Sequence, residues 1–467
     1  MIARRAPRET IQEARASRLA GRRTELRALA RRSREVVLLA GIVGVLTGLG
    51  VAGFDSAVTS GVEALDRAPA FVTASAPLLG LTVAAILLAV VGRRCSPATA
   101  DEYLHAFHDP DHTLDARALV ARMLAGIATL GSGAPMGLEG PSMYLGASLG
   151  DLLPRRFPRA FFVRNRRVLL VAGAAAGVAA IFKAPATGAV FALEVPYQDD
   201  FARRMLGPAL VAAATSYLAF AAIHGTTALL VVSGHPAFSF KDLAGAAALG
   251  AFAGAGARLF AWMLRRAKQL SSTVAAFVRV PIAGGALVGI FVLARALSGH
   301  NLTTGPGYDT IRWALDPTHS VWLVGAILAL RCIGTSATVA GGGVGGLFIP
   351  LVVAGALTGR VVGGSVHALD TSLFTVIGVA AFLGAGYRVP LAGVTFVAEA
   401  TGRPGFVVPG LIAAVVAELL MGRSSVTIYQ HSSDEELDAP GEPRNGSPSA
   451  ASPPLSLPSE AKQRRTS

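Results

Sequence analysis

The chain has 467 residues, of which 52% are hydrophobic and 15% are charged, and its mean hydropathy of +0.53 is far above that of an average soluble protein. A net charge of +13 fits a nucleic-acid-binding protein, but no basic groove with interleaved aromatic residues follows the basic N-terminus, so we predict no nucleic-acid partner. The two cysteines, Cys95 and Cys332, are too few for a disulfide framework or a cysteine metal site, and we expect no metal and no other cofactor.

The first predicted element is a basic arm, residues 1–34, in which residues 11–34 are predicted to form an amphipathic helix on the inner membrane surface. Arginines crowd this arm up to the first apolar segment, which is the charge distribution typical of cytoplasmic flanks. We therefore expect a cytoplasmic N-terminus. A cleavable signal peptide is not predicted, because the first apolar run begins late and is long.

Apolar segments then recur along the chain and predict an all-α protein that crosses the lipid bilayer several times. Segments long enough to span about 30 Å as helices are 36–54, 74–92, 206–223, 244–263, 278–297, 321–333 with its flanks, 349–366 and 407–421. Segments 168–181 and 374–386 are too short to cross. They are predicted to be half-spanning helices, whose ends must be covered by protein or line a polar cavity.

The most polar interior stretch is 101–115, which contains His105, His108 and His112 together with several acids. Three histidines raise the possibility of a metal site. Pro110 and the irregular spacing instead predict a solvated loop.

Two matched sequence blocks reveal an internal repeat. The run 137–141, Gly-Leu-Glu-Gly-Pro, corresponds to the run 346–350, Gly-Leu-Phe-Ile-Pro, and the run 183–194 corresponds in the same order to 388–399. Repeats interrupted by glycine and proline predict a transport fold with a first repeat at 35–225, a second at 226–430 and a site at the midplane. We expect the repeats to be inverted, although the pattern alone also fits parallel repeats. The Ser-, Pro- and Glu-rich stretch 431–467 predicts a disordered cytoplasmic tail.

Both glycine-rich turns precede a helical run, so free backbone N–H groups and the positive end of a helix dipole should converge on an anion. The turn residues predicted to line this anion site are Gly137, Leu138, Gly140, Gly346, Leu347, Phe348 and Ile349. Glu139 is the only carboxylate in its turn, and as an anion it can take the place of a bound anion and act as a gate. The alternative is a structural carboxylate that caps a helix start.

Other features of the turns have simpler interpretations. Phe348 is either a packing residue or presents its N–H and positive ring edge to an anion. The run 341–346 formally matches a dinucleotide-binding fingerprint, which we reject because neither a preceding strand nor a suitably placed acid accompanies it. The matched positions of Glu194 and Glu399 favour a structural role for both, such as helix capping.

Residues 36–429 resemble the chloride channel and transporter (CLC) family. GSGAPMGLEGP at 131–141 looks like the gating-glutamate block, with Leu138 replacing the usual arginine, and 172–194 resembles the block that follows it. AGGGVGGLFIP at 340–350 resembles the second anion-binding turn, and Tyr429 matches the tyrosine whose hydroxyl contacts the central anion. The resemblance implies a homodimer of inverted-repeat subunits, each with its own chloride pathway, in a bacterial inner membrane with both termini cytoplasmic and without the paired CBS modules of many eukaryotic members.

The departures from the family pattern bear on mechanism. The first anion-binding turn falls on 95–99, where only Ser96 is retained, and Val195 replaces the glutamate that relays protons in family exchangers. The resemblance thus favours a passive chloride channel gated by Glu139, with a proton/chloride antiporter on the same fold as the alternative. Tyr429 disfavours the fluoride-exporting branch.

An alternative of a different class is a membrane-embedded enzyme that uses Glu139 as a general base. Such a site needs a second catalytic group, and the candidates are His105, His108 and His112, which lie in a different polar segment.

Overall fold

The computed structural model describes residues 8–157, 166–198, 200–227, 229, 239–365 and 371–431. The predicted C-terminal tail lies outside these ranges apart from His431. Within them the chain is helical almost throughout. The α-helices are α1 Arg8–Asp66, α2 Ala70–Val90, α3 Ala100–His108, α4 Ala116–Gly131, α5 Glu139–Arg156, α6 Arg166–Phe182, α7 Pro185–Glu194, α8 Leu206–His224, α9 Phe240–Thr273, α10 Ala276–Ser298, α11 Tyr308–Ala314, α12 Val321–Ala340, α13 Phe348–Ser365, α14 Thr371–Tyr387, α15 Pro390–Thr401 and α16 Val407–Met421.

Eight helices in the described ranges are long and apolar enough to cross a membrane, and each covers one of the eight predicted segments. The two short predicted helices are also present, as α6 and α14 with 17 residues each. Every residue of α6 from Leu169 to Phe182 is buried, as expected for a helix that is apolar on all sides. The outer helices instead expose large apolar side chains such as Phe252, Trp322 and Leu419, which suit a lipid-facing surface.

Two local expectations differ from the structure. The arm does not form a separate helix over 11–34, because α1 continues from Arg8 to Asp66 and no proline interrupts it. The stretch 101–115 is only partly a loop, since Ala100–His108 forms α3. Tyr103, Leu104 and Phe107 give this short helix a buried apolar face, which outweighs its polar composition.

The relative direction of the two repeats follows from α7 and α15. Glu194, the last residue of α7, accepts hydrogen bonds from the N–H groups of Leu391 and Ala392 at the start of α15, at 3.1 and 2.9 Å. In return Glu399, near the end of α15, accepts from the N–H groups of Ala186 and Thr187 at the start of α7, at 3.0 and 2.7 Å. Each helix end meets the other helix start, so the helices are antiparallel and the repeats are inverted. The predicted capping role of both glutamates is confirmed.

Glu194 and Glu399 each cap the helix of the other repeat, and these exchanged caps should contribute to the stability of the fold. We expect Glu399→Ala to lower the midpoint of thermal unfolding, because it leaves buried N–H groups of α7 unpaired at about 1–3 kcal/mol each. Glu399→Gln should have a smaller effect, since an amide oxygen can still accept. The measurement is size-exclusion chromatography of detergent-solubilised protein after heating. Glu63→Ala is the matched control, because Glu63 is exposed and forms an exposed ion pair with Arg67. Equal midpoints for Glu399→Ala and this control would contradict the prediction.

Candidate anion site

The two glycine-rich turns meet in the interior, where they form an antiparallel bridge between Gly137 and Gly346. The N–H of Gly137 donates to the carbonyl of Gly346 at 3.0 Å, and the N–H of Gly346 donates to the carbonyl of Gly137 at 2.6 Å. This bridge brings the start of α5 and the start of α13 together. The structure thus places one turn from each repeat at a common site.

The Glu139 carboxylate lies in this site and is buried, with 3% of the residue exposed. Its Oε1 accepts hydrogen bonds from the backbone N–H groups of Phe348 at 2.6 Å and Ile349 at 3.4 Å, at the start of α13. A Cβ atom on Gly137 or Gly346 would overlap the carboxylate, so its position requires glycine at both places. Glu139 therefore caps the helix of the other repeat, and its oxygen stands where a bound anion would meet that helix.

The second carboxylate oxygen is free. Glu139 Oε2 is buried and has no hydrogen-bond partner within the described ranges. A buried acceptor without a partner is costly unless water or a proton reaches it. Glu139 is thus held by one oxygen and left unsatisfied at the other, which suits a side chain that is released from its site.

Phe348 combines the two roles considered for it. Its N–H donates to Glu139, while its ring packs against Phe182 with centroids 4.4 Å apart. Phe191 and Phe396, which occupy matched positions in the two repeats, both present an edge-to-face contact to the same ring, at 5.3 and 5.0 Å. The aromatic cluster fixes the turn whose amides bond to Glu139. Leu138, Leu347 and Ile349 are buried beside it.

The side-chain hydroxyl that reaches the two turns belongs to Thr99 and not to Ser96. Ser96 is half-buried, its Oγ accepts from the N–H of Ala98 at 3.0 Å, and no contact with either turn is described for it. Thr99 is buried, and its Oγ1 lies 3.5 Å from the carbonyl of Gly345. A Cβ on Gly140 would come within 2.6 Å of the same Thr99 Oγ1. Thr99 is the N-cap residue of α3. A threonine just before a helix is a sequence feature that points to this position.

Tyr429 lies elsewhere. It is 40% exposed, and its ring stacks on His105 with centroids 4.8 Å apart. Two other tyrosines, Tyr387 and Tyr308, are within electrostatic reach of Glu139, and Tyr387 is buried and interacts through its hydroxyl with the backbone of Leu347. The structure does not bring Tyr429 to the turns, so the argument against the fluoride-exporting branch loses its structural basis.

The histidines of the enzyme alternative are not assembled with Glu139. In the described part of the chain His105 stacks on His112, His112 lies 3.3 Å from Glu102, and His108 lies 2.8 Å from the carbonyl of Pro196. Among the described residues no group of three or more His, Cys, Asp or Glu side chains is arranged to hold a metal ion. These contacts supply no second catalytic group to Glu139.

Val195 follows α7 and is fully buried. Its carbonyl accepts a hydrogen bond from Nε2 of Gln430 at 2.9 Å. The valine side chain has no titratable group, so a proton that reaches Glu139 from this side must be carried by other groups.

Because the hydroxyl at the two turns belongs to Thr99 and not to Ser96, we expect different effects from two conservative substitutions. Thr99→Val keeps the side-chain shape and removes one hydroxyl, so we expect chloride affinity to fall about fivefold, the value of one hydrogen bond. Ser96→Ala is the matched control and should leave chloride affinity unchanged. Isothermal titration calorimetry with chloride on detergent-solubilised protein measures both. A loss of affinity in Ser96→Ala alone would restore the assignment made from the sequence.

Comparisons with known proteins agree with this geometry. The model of a family described as voltage-gated chloride channel matches residues 79–422. A putative ClcB-like chloride channel protein of Ralstonia nicotianae is 30% identical over 336 residues, which cover 68% of this chain and 74% of the relative. The H(+)/Cl(-) exchange transporter ClcA of Citrobacter koseri is 28% identical over 409 residues, which cover 82% of this chain and 85% of the relative.

Solved structures show the same fold. The structure of a slow cyanobacterial Cl-/H+ antiporter superimposes with a TM-score of 0.73 at 21% identity, over 83% of this chain and 94% of that one. A CLC-type fluoride/proton antiporter superimposes with a TM-score of 0.72 at 22% identity, over 85% of this chain and 98% of that one. Both similarities concern the arrangement of the helices.

Proposed function

The chain belongs to the CLC family of anion-transporting membrane proteins, and we propose that it exchanges chloride for protons through the site at Glu139. The observation that carries this proposal is the position of the Glu139 carboxylate on the N–H groups of Phe348 and Ile349. A carboxylate oxygen and a chloride ion compete for the same donors, so the protonation state of one side chain decides whether the anion binds.

The proposed cycle is centred on the Glu139 carboxylate and the N–H groups of Phe348 and Ile349. When Glu139 takes up a proton at Oε2, its negative charge is lost and its attraction to the start of α13 weakens. The neutral side chain leaves, and chloride takes its place on the exposed N–H groups, beside Thr99 and Phe348. When the chloride departs, Glu139 loses its proton and returns. Each passage of anions is thereby linked to a proton.

Relatives support exchange more than passive conduction. The Citrobacter koseri relative is named as an exchange transporter, and both structures with the same fold are antiporters. The passive channel favoured by the sequence rests on Val195, where no titratable side chain stands, and this residue keeps a channel as the second candidate. The two differ in whether protons move with chloride.

Assembly and location belong to the same proposal. The two repeats of this chain together bring both glycine-rich turns and Glu139 to the site, so a single subunit supplies them, and the proposal gives one pathway to each subunit of a homodimer. The bacterial relatives and the arginine-rich arm favour a bacterial inner membrane with both termini in the cytoplasm.

Flux measurements on liposomes containing the purified protein distinguish the two candidates. A chloride gradient is imposed while external chloride and external pH are recorded together. We expect protons to move uphill in a fixed ratio to chloride, because Glu139 must be protonated for each exchange. Chloride movement without protons would establish the channel, and absence of any anion movement would contradict transport at this site.

Glu139→Gln tests the gate itself. Glutamine keeps the size of the side chain but cannot titrate, so we expect chloride flux to persist, proton flux to disappear and the dependence of chloride flux on pH to be lost. The same liposome assay at several pH values measures all three. A variant that unfolds in detergent would instead assign Glu139 a structural role in holding the start of α13.

A further inference from the structure

Protons that reach Glu139 from the cytoplasm need groups that carry them, and the structure shows which groups lie on that side. The arm leads into α1, and α1 and α2 are two consecutive spans, so α3 lies on the same side of the membrane as the arm. The segment 425–431 packs against α3, since the N–H of Ile428 donates to Asp101 and Tyr429 stacks on His105. Two titratable groups in this region also contact the segment that follows Val195.

These groups are the imidazoles of His108, at the end of α3, and His431. Their rings are stacked with centroids 3.8 Å apart and an interplanar angle of 19°, and both residues are half-buried. Nε2 of the His108 ring lies 2.8 Å from the carbonyl of Pro196, and the backbone N–H of His431 donates to the same carbonyl at 3.3 Å. The pair is therefore fixed on the backbone directly after Val195.

The contact with Pro196 also determines the tautomer of His108. A carbonyl oxygen only accepts, so Nε2 of the neutral ring must carry the hydrogen and Nδ1 is left as a proton acceptor. Burial, with smaller contributions from His431 and Arg167, lowers the pKa of His108 to about 4 despite the opposing bond to Pro196. The ring is thus neutral at rest and can hold a proton only briefly, as a relay requires.

Charged side chains of α6, of the segment after α14 and of α16 lie around the pair, together with the ring of Tyr197. Arg167 of α6 has its guanidinium over the ring of Phe107 at 5.0 Å. Arg388, after α14, donates to the carbonyl of Gln198 at 3.0 Å and lies 3.8 Å from Glu418 of α16. Tyr197 meets His108 edge to face, with centroids 5.7 Å apart. Arg167 disfavours a resident positive charge on His108, so a proton bound there passes on.

Two buried oxygens without a hydrogen-bond partner in the described part of the chain belong to Gln430 and to the gate, Glu139. Gln430, next to His431, donates through Nε2 to the carbonyls of Val195 at 2.9 Å and Tyr387 at 2.7 Å, while its buried Oε1 has no partner in the described part of the chain. Glu139 Oε2 is the other unsatisfied oxygen. Tyr387 connects the two residues: its backbone carbonyl accepts from Gln430, and its side chain is within electrostatic reach of Glu139. Buried acceptors of this kind bind ordered water.

We propose that His108 and His431 form the cytoplasmic proton relay of this protein and that water held by Gln430 carries the proton from them to Glu139. A hydronium ion gives its proton to Nδ1 of His108, which forms an N–H bond and leaves water. The proton then passes through water to a ring nitrogen of His431 and on through water at Gln430 Oε1 to Glu139 Oε2, where an O–H bond forms and both imidazoles return to the neutral state. This relay rests on the exchange proposed above and takes the place of a carboxylate at residue 195.

Two substitutions test the relay without removing its structural contacts. In His108→Gln the amide can still donate to Pro196 but cannot carry a proton, and in His431→Phe the ring can still stack on His108. We expect each to lower proton flux in the liposome assay about tenfold or more, the range of a lost acid–base group, while chloride flux persists because Glu139 can still be protonated from the opposite side of the membrane. The ratio of protons to chloride therefore falls, which a purely structural disturbance would not produce.

The chain offers a matched control and a rescue. His105 lies one turn earlier on α3, where it stacks on Tyr429 and His112, so His105→Gln should leave the ratio of protons to chloride unchanged. Adding Val195→Glu to His108→Gln should restore proton flux, because it places a titratable carboxylate beside Gln430.

The outcomes separate this relay from the exchange on which it rests. Wild-type protein that moves chloride without protons would overturn both. Wild-type protein that couples the two ions, with coupling unchanged in His108→Gln and His431→Phe, would overturn the relay alone. An equal loss of coupling in His105→Gln would also overturn it, since the effect would then not depend on contact with the segment after Val195.

Discussion

The bond between the Glu139 carboxylate and the backbone N–H groups at the start of α13 is the interaction on which this structure depends. It exists only because the two repeats meet at Gly137 and Gly346, where any larger residue would displace the carboxylate. It also links the repeats across the site, since Glu139 belongs to one and α13 to the other. In the proposed exchange, the amides that hold the closed side chain are also the donors for the anion, so a single set of donors serves both.

The surrounding packing makes that set of donors rigid. Phe348 is enclosed by Phe182, Phe191 and Phe396, which contact its ring from two sides. Rigid amides that do not reorganise when their partner changes are effective at stabilising charge in a site shielded from water. Mobility is left to the Glu139 side chain, whose Oε2 has no partner in the described part of the chain. The protein thereby confines the moving part of its site to Glu139.

Much of this arrangement was predictable from the sequence. Apolar length identified the eight spans and the two short helices, and the matched glycine blocks identified the turns, because hydrophobic length and glycine have direct backbone consequences. The inversion of the repeats was not decided by the pattern, since it depends on which helix end meets Glu194 and Glu399. The expectations for Tyr429 and Ser96 rest on the family resemblance in segments where few residues match, and a shift of three positions, from Ser96 to Thr99, moves a hydroxyl to the two turns.

The exchanged caps of α7 and α15 also bear on how the chain is made. The N–H of Thr187 finds its partner on Glu399, 212 residues later in the sequence. At a synthesis rate of 5–20 residues per second, the start of α7 waits about 10 to 40 s for that carboxylate. The first repeat is therefore incomplete when it leaves the ribosome, because the start of α7 receives its cap only when the second repeat arrives. The two halves are one folding unit, although each carries its own turn and its own set of helices.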